Sequence, residues 1–161
     1  MEYTITGCTI NELYTVAQMY NKLTNEIRDT THEDYFEFDD LSDDEMFEML
    51  NVAVNEDGLT IYVAKTPEDK IIGFISGSIK KSFSKNDFFK LIGYIEATYI
   101  DEQYRREGIL KSLEEKLVED FKNEGTEYIE LNILSENTEA KTSWQNMGYT
   151  TYREDMRKFI K

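Results

Sequence analysis

Residues 99–112, YIDEQYRREGILKS, hold the residue types in this chain best suited to gripping a charged ligand. An apolar, extended-looking segment stops at Ile100. Arg105, Arg106, Glu107 and Gly108 follow, and an apolar helical pattern begins at Ile109. A turn between a strand and a helix start is a ready anion site. The first N–H groups of the helix have no internal partner, and the macrodipole is positive there. Gly108 lets a bulky ligand approach the backbone. Two guanidinium groups add forked donors that suit phosphate. Two cations at this end oppose the dipole, and an anionic ligand would relieve that. Glu107 is the competing explanation, because it can satisfy the dipole from within the chain. The stretch has neither the glycines of a Walker loop nor those of a dinucleotide fingerprint.

The elements that hold this turn can be read from the periodicity. Ile10, Leu13, Val16, Ala17, Tyr20, Leu23 and Ile27 recur at helical spacing and predict a helix over residues 9–29. Ser42 with Glu45 three positions on forms a capping box, which starts a second helix bearing Met46, Met49, Leu50 and Ala53. LTIYVAK and IIGFISGSI read as a hairpin closed at TPEDK, with Gly73 and Gly77 marking bulges or close backbone approach. KKSFSKNDFFK reads as a loop, and LIGYIEATYI as a long buried strand. Ile109, Leu110, Leu113, Leu117, Val118 and Phe121 make one helical face that ends near Gly125. YIELNIL reads as another strand, Asn137 as the cap of a short helix, and YTTYREDMRKFI as one or two more strands. The passage from Leu91 to Leu134 predicts a parallel, right-handed crossover inside a mixed sheet.

Composition sets the outer bounds. The 161 residues make one domain, 1–161, long enough to bury roughly two-thirds of its unfolded surface. With 40% hydrophobic and 13% aromatic residues, the chain does not read as disordered. The net charge of −15 repels nucleic acid and anionic lipid and attracts cations. No apolar run approaches the roughly 20 residues that span a membrane. The start, MEYTITGCTINEL, lacks the features of a signal peptide. Cys8 is alone, which excludes an internal disulfide and predicts a cytoplasmic protein. His32 has no companion ligands, so no metal site is expected.

With these elements in place, YIDEQYRREGILKSLEEKL resembles the acyl-CoA-binding motif of the GNAT acetyltransferases, strand, then Q/R-x-x-G-x-G/A, then helix, here as Arg105, Gly108 and Leu110. NTEAKTSWQNMGY resembles the second family signature through Asn137, Ala140, Trp144, Gly148 and Tyr149. The resemblance implies a mixed α+β fold, with a central splayed sheet of about six to seven strands flanked by about four helices. It implies acetyl-CoA as co-substrate. Backbone groups of Thr98, Tyr99 and Ile100 would bond the pantetheine arm. Arg105, Arg106, Glu107, Gly108, Ile109 and Leu110, with Lys111 nearby, would hold the diphosphate, and Asn137 would reach the arm. Leu110 departs from the small residue of the motif. Trp144 stands where many members carry an acidic tyrosine and is placed either in the core or against the cofactor. Water or a nearby tyrosine, Tyr149 or Tyr99, is then the candidate proton donor. Glu96 would be the base, acting through water, with an N–H near Tyr99 stabilising the oxyanion. Its alternatives are a solvent-facing strand-end residue or an ion pair with a lysine.

The resemblance places the acceptor between the first helical connection and the last hairpin. That connection, HEDYFEFDD, mixes Glu33, Asp34, Glu37, Asp39 and Asp40 with Tyr35, Phe36 and Phe38. Carboxylates among rings suit a polyamine, an aminoglycoside or a basic peptide terminus. The expected activity is N-acetyl transfer to a primary amine by direct attack. The alternatives are a non-catalytic acyl-CoA sensor on the same fold and an acidic interaction domain with no ligand. The resemblance also allows a homodimer.

Overall fold

The computed structural model describes residues 1–37, 40–84 and 91–161. Its elements are β1 (Thr4–Gly7), α1 (Leu13–Thr31), a 3-10 turn (Asp34–Phe36), α2 (Asp43–Glu56), β2 (Thr60–Lys65), β3 (Ile71–Lys81), β4 (Leu91–Ile100), a second 3-10 turn (Glu102–Tyr104), α3 (Ile109–Asn123), β5 (Ile129–Glu130) and α4 (Thr138–Asn146). The sheet runs β1-β2-β3-β4-β5. Its first three pairings are antiparallel and β4–β5 is parallel.

Two apolar cores lie on opposite faces of this sheet. Leu13, Val16, Ala17 and Met19 of α1 and Met46 and Leu50 of α2 pack on Ile61, Val63, Phe74 and Tyr99. Ile109, Leu113, Leu117 and Phe121 of α3, with Trp144 of α4, pack on Ala64, Ile72, Ile75 and Ile95. Period-two strands between two amphipathic helix stripes produce this layering. Gly93 lets α3 press close, since a Cβ there would sit 2.2 Å from the Phe121 ring.

Several expectations are corrected. Among the described residues the sheet has five strands, not six to seven. β1 went unpredicted, because a four-residue strand bounded by Gly7 carries too short a pattern to register. α1 begins at Leu13, as residues 9–12 form a turn in which Glu12 accepts from Thr9 N–H at 2.7 Å. β5 holds only two of the seven residues of YIELNIL. Residues 149–161 form no strand. β propensity states readiness to pair, and no ladder partner meets this segment among the described residues. The Ser42–Glu45 capping box is present in full. Lys80 and Lys81 of the expected loop KKSFSKNDFFK continue β3, and residues 85–90 of it, along with Phe38 and Asp39, lie outside the described residues.

Candidate active site

The site is built around an irregularity in β4. Ser76 pairs with Ala97 and Gly77 with Ile95, so Glu96 is the extra residue of a β-bulge. The insertion reverses the alternation. Ile95 faces α3, whereas Ala97 and Tyr99, also odd-numbered, join the core under α1. β4 and β5 pair only at Gly93–Ile129 and Tyr94–Glu130. Beyond that, β4 continues to Ile100 without a β5 partner, and the strands part. Asp101 N–H donates to Ile72 C=O at 3.0 Å. By antiparallel alternation Tyr99 therefore turns its N–H and C=O to β3, while Thr98 and Ile100 turn theirs to the gap. This corrects the expectation for Tyr99, whose backbone is spent on the sheet.

The loop that follows separates its two arginines. Arg105 is held internally. Both Glu26 carboxylate oxygens accept from its Nη2, at 2.9 and 2.8 Å, and its Nε donates to Ile100 C=O at 3.0 Å. Its guanidinium also lies over the Tyr99 ring. The Arg105 side chain thus ties the loop to α1 and is not free for a diphosphate. Arg106 is exposed, has no side-chain partner among the described residues, and adopts φ +70°. Glu107 does not satisfy the helix end. Its carboxylate accepts from the Met1 amino group at 3.4 Å, and no acidic residue stands in the first turn of α3. Gly108 is the N-cap at φ +79° and offers no side-chain acceptor, so the first-turn N–H groups of Ile109, Leu110 and Lys111 stay open to a ligand. Ile109 is buried, and Leu110 packs against the α3 core, which keeps its bulk off the loop. Lys111 is exposed, with Glu115 3.9 Å away.

Glu96 is not isolated in apolar surroundings. Its side chain is 30% exposed, its Oε1 lies 2.7 Å from Lys80 Nζ, and the same oxygen accepts from Ser78 Oγ at 2.8 Å. Of the sequence alternatives, the lysine ion pair is the one observed. Tyr20 and Ser76 share a hydrogen bond in the same layer. Burial pushes the Tyr20 phenol up to about 12, although the Ser76 bond opposes this.

On α4, Asn137 Oδ1 accepts from Ala140 N–H at 3.2 Å, so that oxygen caps the helix and only the amide NH2 remains for a ligand. Trp144 is buried in the α3-side core, which answers the choice left by the sequence. Tyr149 meets Trp144 edge-on, with centroids 5.1 Å apart, and its hydroxyl donates to Glu114 Oε1 at 2.8 Å. Burial and then the Glu114 bond push its phenol well above the ordinary tyrosine range. The hydroxyl proton of Tyr149 is thus engaged by Glu114, which weighs against the proton-donor role expected for it.

The acidic connection is met by the C-terminal segment. Arg157 Nη2 donates to Glu33 Oε2 at 2.7 Å, and its guanidinium lies over the Tyr35 ring at 4.6 Å. The Arg157 bond holds the Glu33 carboxyl below the usual carboxylate range. Asp34 and Tyr35, in the 3-10 turn, and Glu37 are exposed. Sequence reasoning missed Glu26, Ser78, Lys80 and Arg157. All four meet their partners across long stretches of chain, and no local pattern marks them. A separate surface cleft of about 420 Å³, lined by Glu12, Gln18, Lys22, Lys70 and Asp101 among others, contains none of the expected cofactor residues.

The fold has solved counterparts. A mutant of the BH1408 protein from Bacillus halodurans superposes with a TM-score of 0.84 at 19% identity, covering 98% of this chain and 99% of that one. The aminoglycoside acetyltransferase AAC(6')-Iy, in complex with the bisubstrate analog CoA-S-monomethyl-acetylneamine, superposes at 0.77 with 16% identity, covering 100% and 99%. An apo aminoglycoside 6'-N-acetyltransferase from Acinetobacter haemolyticus also gives 0.77, at 13% identity, covering 98% of each. These likenesses establish the fold. At the level of sequence, the acetyltransferase (GNAT) family model matches residues 20–149. The parted strands, the open N-terminus of α3 and this match agree, and the chain belongs to the GNAT acetyltransferase family, with acetyl-CoA as its co-substrate.

Proposed function

We propose that the protein transfers an acetyl group from acetyl-CoA to a primary amine of a small cationic or peptidic acceptor, by direct attack. The observation that carries this reading is the parting of β4 from β5 beside an α3 N-terminus that has no cap of its own. The gap presents the backbone of Thr98 and the N–H of Ile100 to a pantetheine arm, the Ile100 C=O being taken by Arg105. The first-turn amides of α3, with Arg106 and Lys111, suit a diphosphate. Acetyl-CoA supplies the acetyl thioester. A thiol pKa of roughly 8.5 makes the thiolate a tolerable leaving group, so no tyrosine acid is needed at the position of Trp144. Glu96 stands on the bulge at the edge of this gap and takes the proton of the attacking amine. The acceptor's charge is met by the exposed carboxylates of Asp34 and Glu37, since the Tyr35 ring already carries Arg157. AAC(6')-Iy, bound to an analog that joins CoA to an aminoglycoside fragment, supports a cationic amine as the acceptor class. The lone Cys8 accords with a cytoplasmic setting, and the exposed Met156, Phe159 and Ile160 suit a homodimer formed through the C-terminal segment.

Calorimetry with CoA and thiol release from acetyl-CoA across a panel of amines test the reading together. Saturable CoA binding with amine-dependent thiol release is the expected result. Binding without release for any amine would favour a non-catalytic acyl-CoA sensor. No binding would end both readings.

A further inference from the structure

The charged partner of Glu96 is itself a primary amine. Lys80 pairs with Ile92 across the β3–β4 ladder, four positions short of Glu96. Its stem runs back along the sheet, with Nζ 4.0 Å from the Tyr94 ring centroid, and ends 2.7 Å from Glu96 Oε1. Ser78 Oγ donates to that same carboxylate oxygen and fixes its direction. A carboxylate oriented by a hydroxyl, beside an aromatic face, is how proteins commonly hold an ammonium. The Lys80 side chain is 44% exposed, so a mobile amine can compete for the place, and an exposed pair of this kind adds little to stability. The contact therefore reads as occupation of a site more readily than as a structural brace.

Resting on the acetyltransferase reading with Glu96 as base, we propose that Lys80 is a self-acetylation site whose amine occupies the acceptor's place when no other amine is present. One ammonium proton passes to the Glu96 carboxylate. The freed lone pair of Nζ forms a bond to the acetyl carbonyl carbon, and the bond from that carbon to sulfur breaks. The second proton leaves with CoA as its thiol, and Glu96 returns its own proton to water. The product is an uncharged amide at Lys80. It can no longer pair with Glu96, which leaves the carboxylate and the Tyr94 face open to an incoming amine.

The test is incubation of the whole protein with acetyl-CoA and no added amine, with acetylation followed at each lysine by peptide mass spectrometry. A positioned base contributes about 10²–10⁴-fold, so Lys80 is expected to be acetylated at least about 100-fold faster than the exposed Lys116 and Lys122. Glu96→Gln is expected to remove that advantage while keeping the Ser78 hydrogen bond. Calorimetric titration of CoA into the wild type, Glu96→Gln and Lys80→Arg gives a second readout, with equal affinities expected. CoA binding with Lys80 modified no faster than Lys116 would overturn self-acetylation and leave the acetyltransferase reading intact. Fast modification that survives in Glu96→Gln would overturn the part assigned to Glu96. Absence of CoA binding in the wild type would overturn both readings.

Discussion

The two adjacent arginines should fail in different ways when removed. Arg105→Ala removes the ion pair in which Nη2 donates to both Glu26 oxygens, and the bond from Nε to Ile100 C=O. The pair's side chains are 35% and 45% exposed, so solvent screening holds its contribution to about 1 kcal/mol. The bond to Ile100 adds about 1 kcal/mol. Arg105→Ala should therefore cost about 2 kcal/mol, Glu26→Ala about 1 kcal/mol, and the double variant no more than Arg105→Ala alone, a coupling of about 1 kcal/mol. In a chain of this length these losses lower Tm by about 4–8 °C and about 2–4 °C. Arg106→Ala removes a free surface cation. It should leave Tm nearly unchanged and weaken CoA by about fivefold, the equivalent of about 1 kcal/mol. Urea or thermal denaturation of the four variants and the wild type, with CoA calorimetry on each, separates the two roles. The reasoning is refuted if Arg105→Ala loses CoA affinity as Arg106→Ala does while Glu26→Ala changes neither stability nor binding. Arg105 would then grip the diphosphate directly.

Three further outcomes follow from the geometry. Arg106 holds φ +70°, so Arg106→Gly should be more stable than Arg106→Ala by about 1 kcal/mol, since both lose the charge and only glycine escapes the left-handed strain; equal unfolding midpoints would argue against that backbone conformation. Tyr149→Phe should cost about 1 kcal/mol through its lost bond to Glu114 yet leave amine-dependent thiol release within a few-fold, whereas a loss of about 100-fold would restore Tyr149 as the acid. The Glu33 carboxyl is held below 4.5 by Arg157, so docking of the C-terminal segment should be complete above that pH and be lost as pH falls through the lowered value. Backbone NMR shifts of residues 152–161 report this directly, and shifts that stay flat across that range would show that the ion pair does not hold the segment.

The legible parts of this protein are those whose causes lie within one or two turns of chain. The capping box at Ser42 and Glu45, the apolar stripe from Ile109 to Phe121, the glycine that opens α3 and the asparagine that caps α4 are all local features. Each depends on residues three or four positions apart, so the sequence alone was enough to determine them. Their order also sufficed to reveal the family. Local pattern could not decide what β4 does at Glu96, because a bulge is defined by the register of the partner strand. Nor could it show that Arg105 belongs to Glu26 or that Lys80 lies on Glu96, since those contacts span 79 and 16 positions of chain. The missing C-terminal strands have the same physical origin. A strand exists only where a partner meets it, whereas a helix supplies its own backbone partners. Tertiary structure therefore decided which charges are free to act and which are already bound, and the sequence determined only where they could be found.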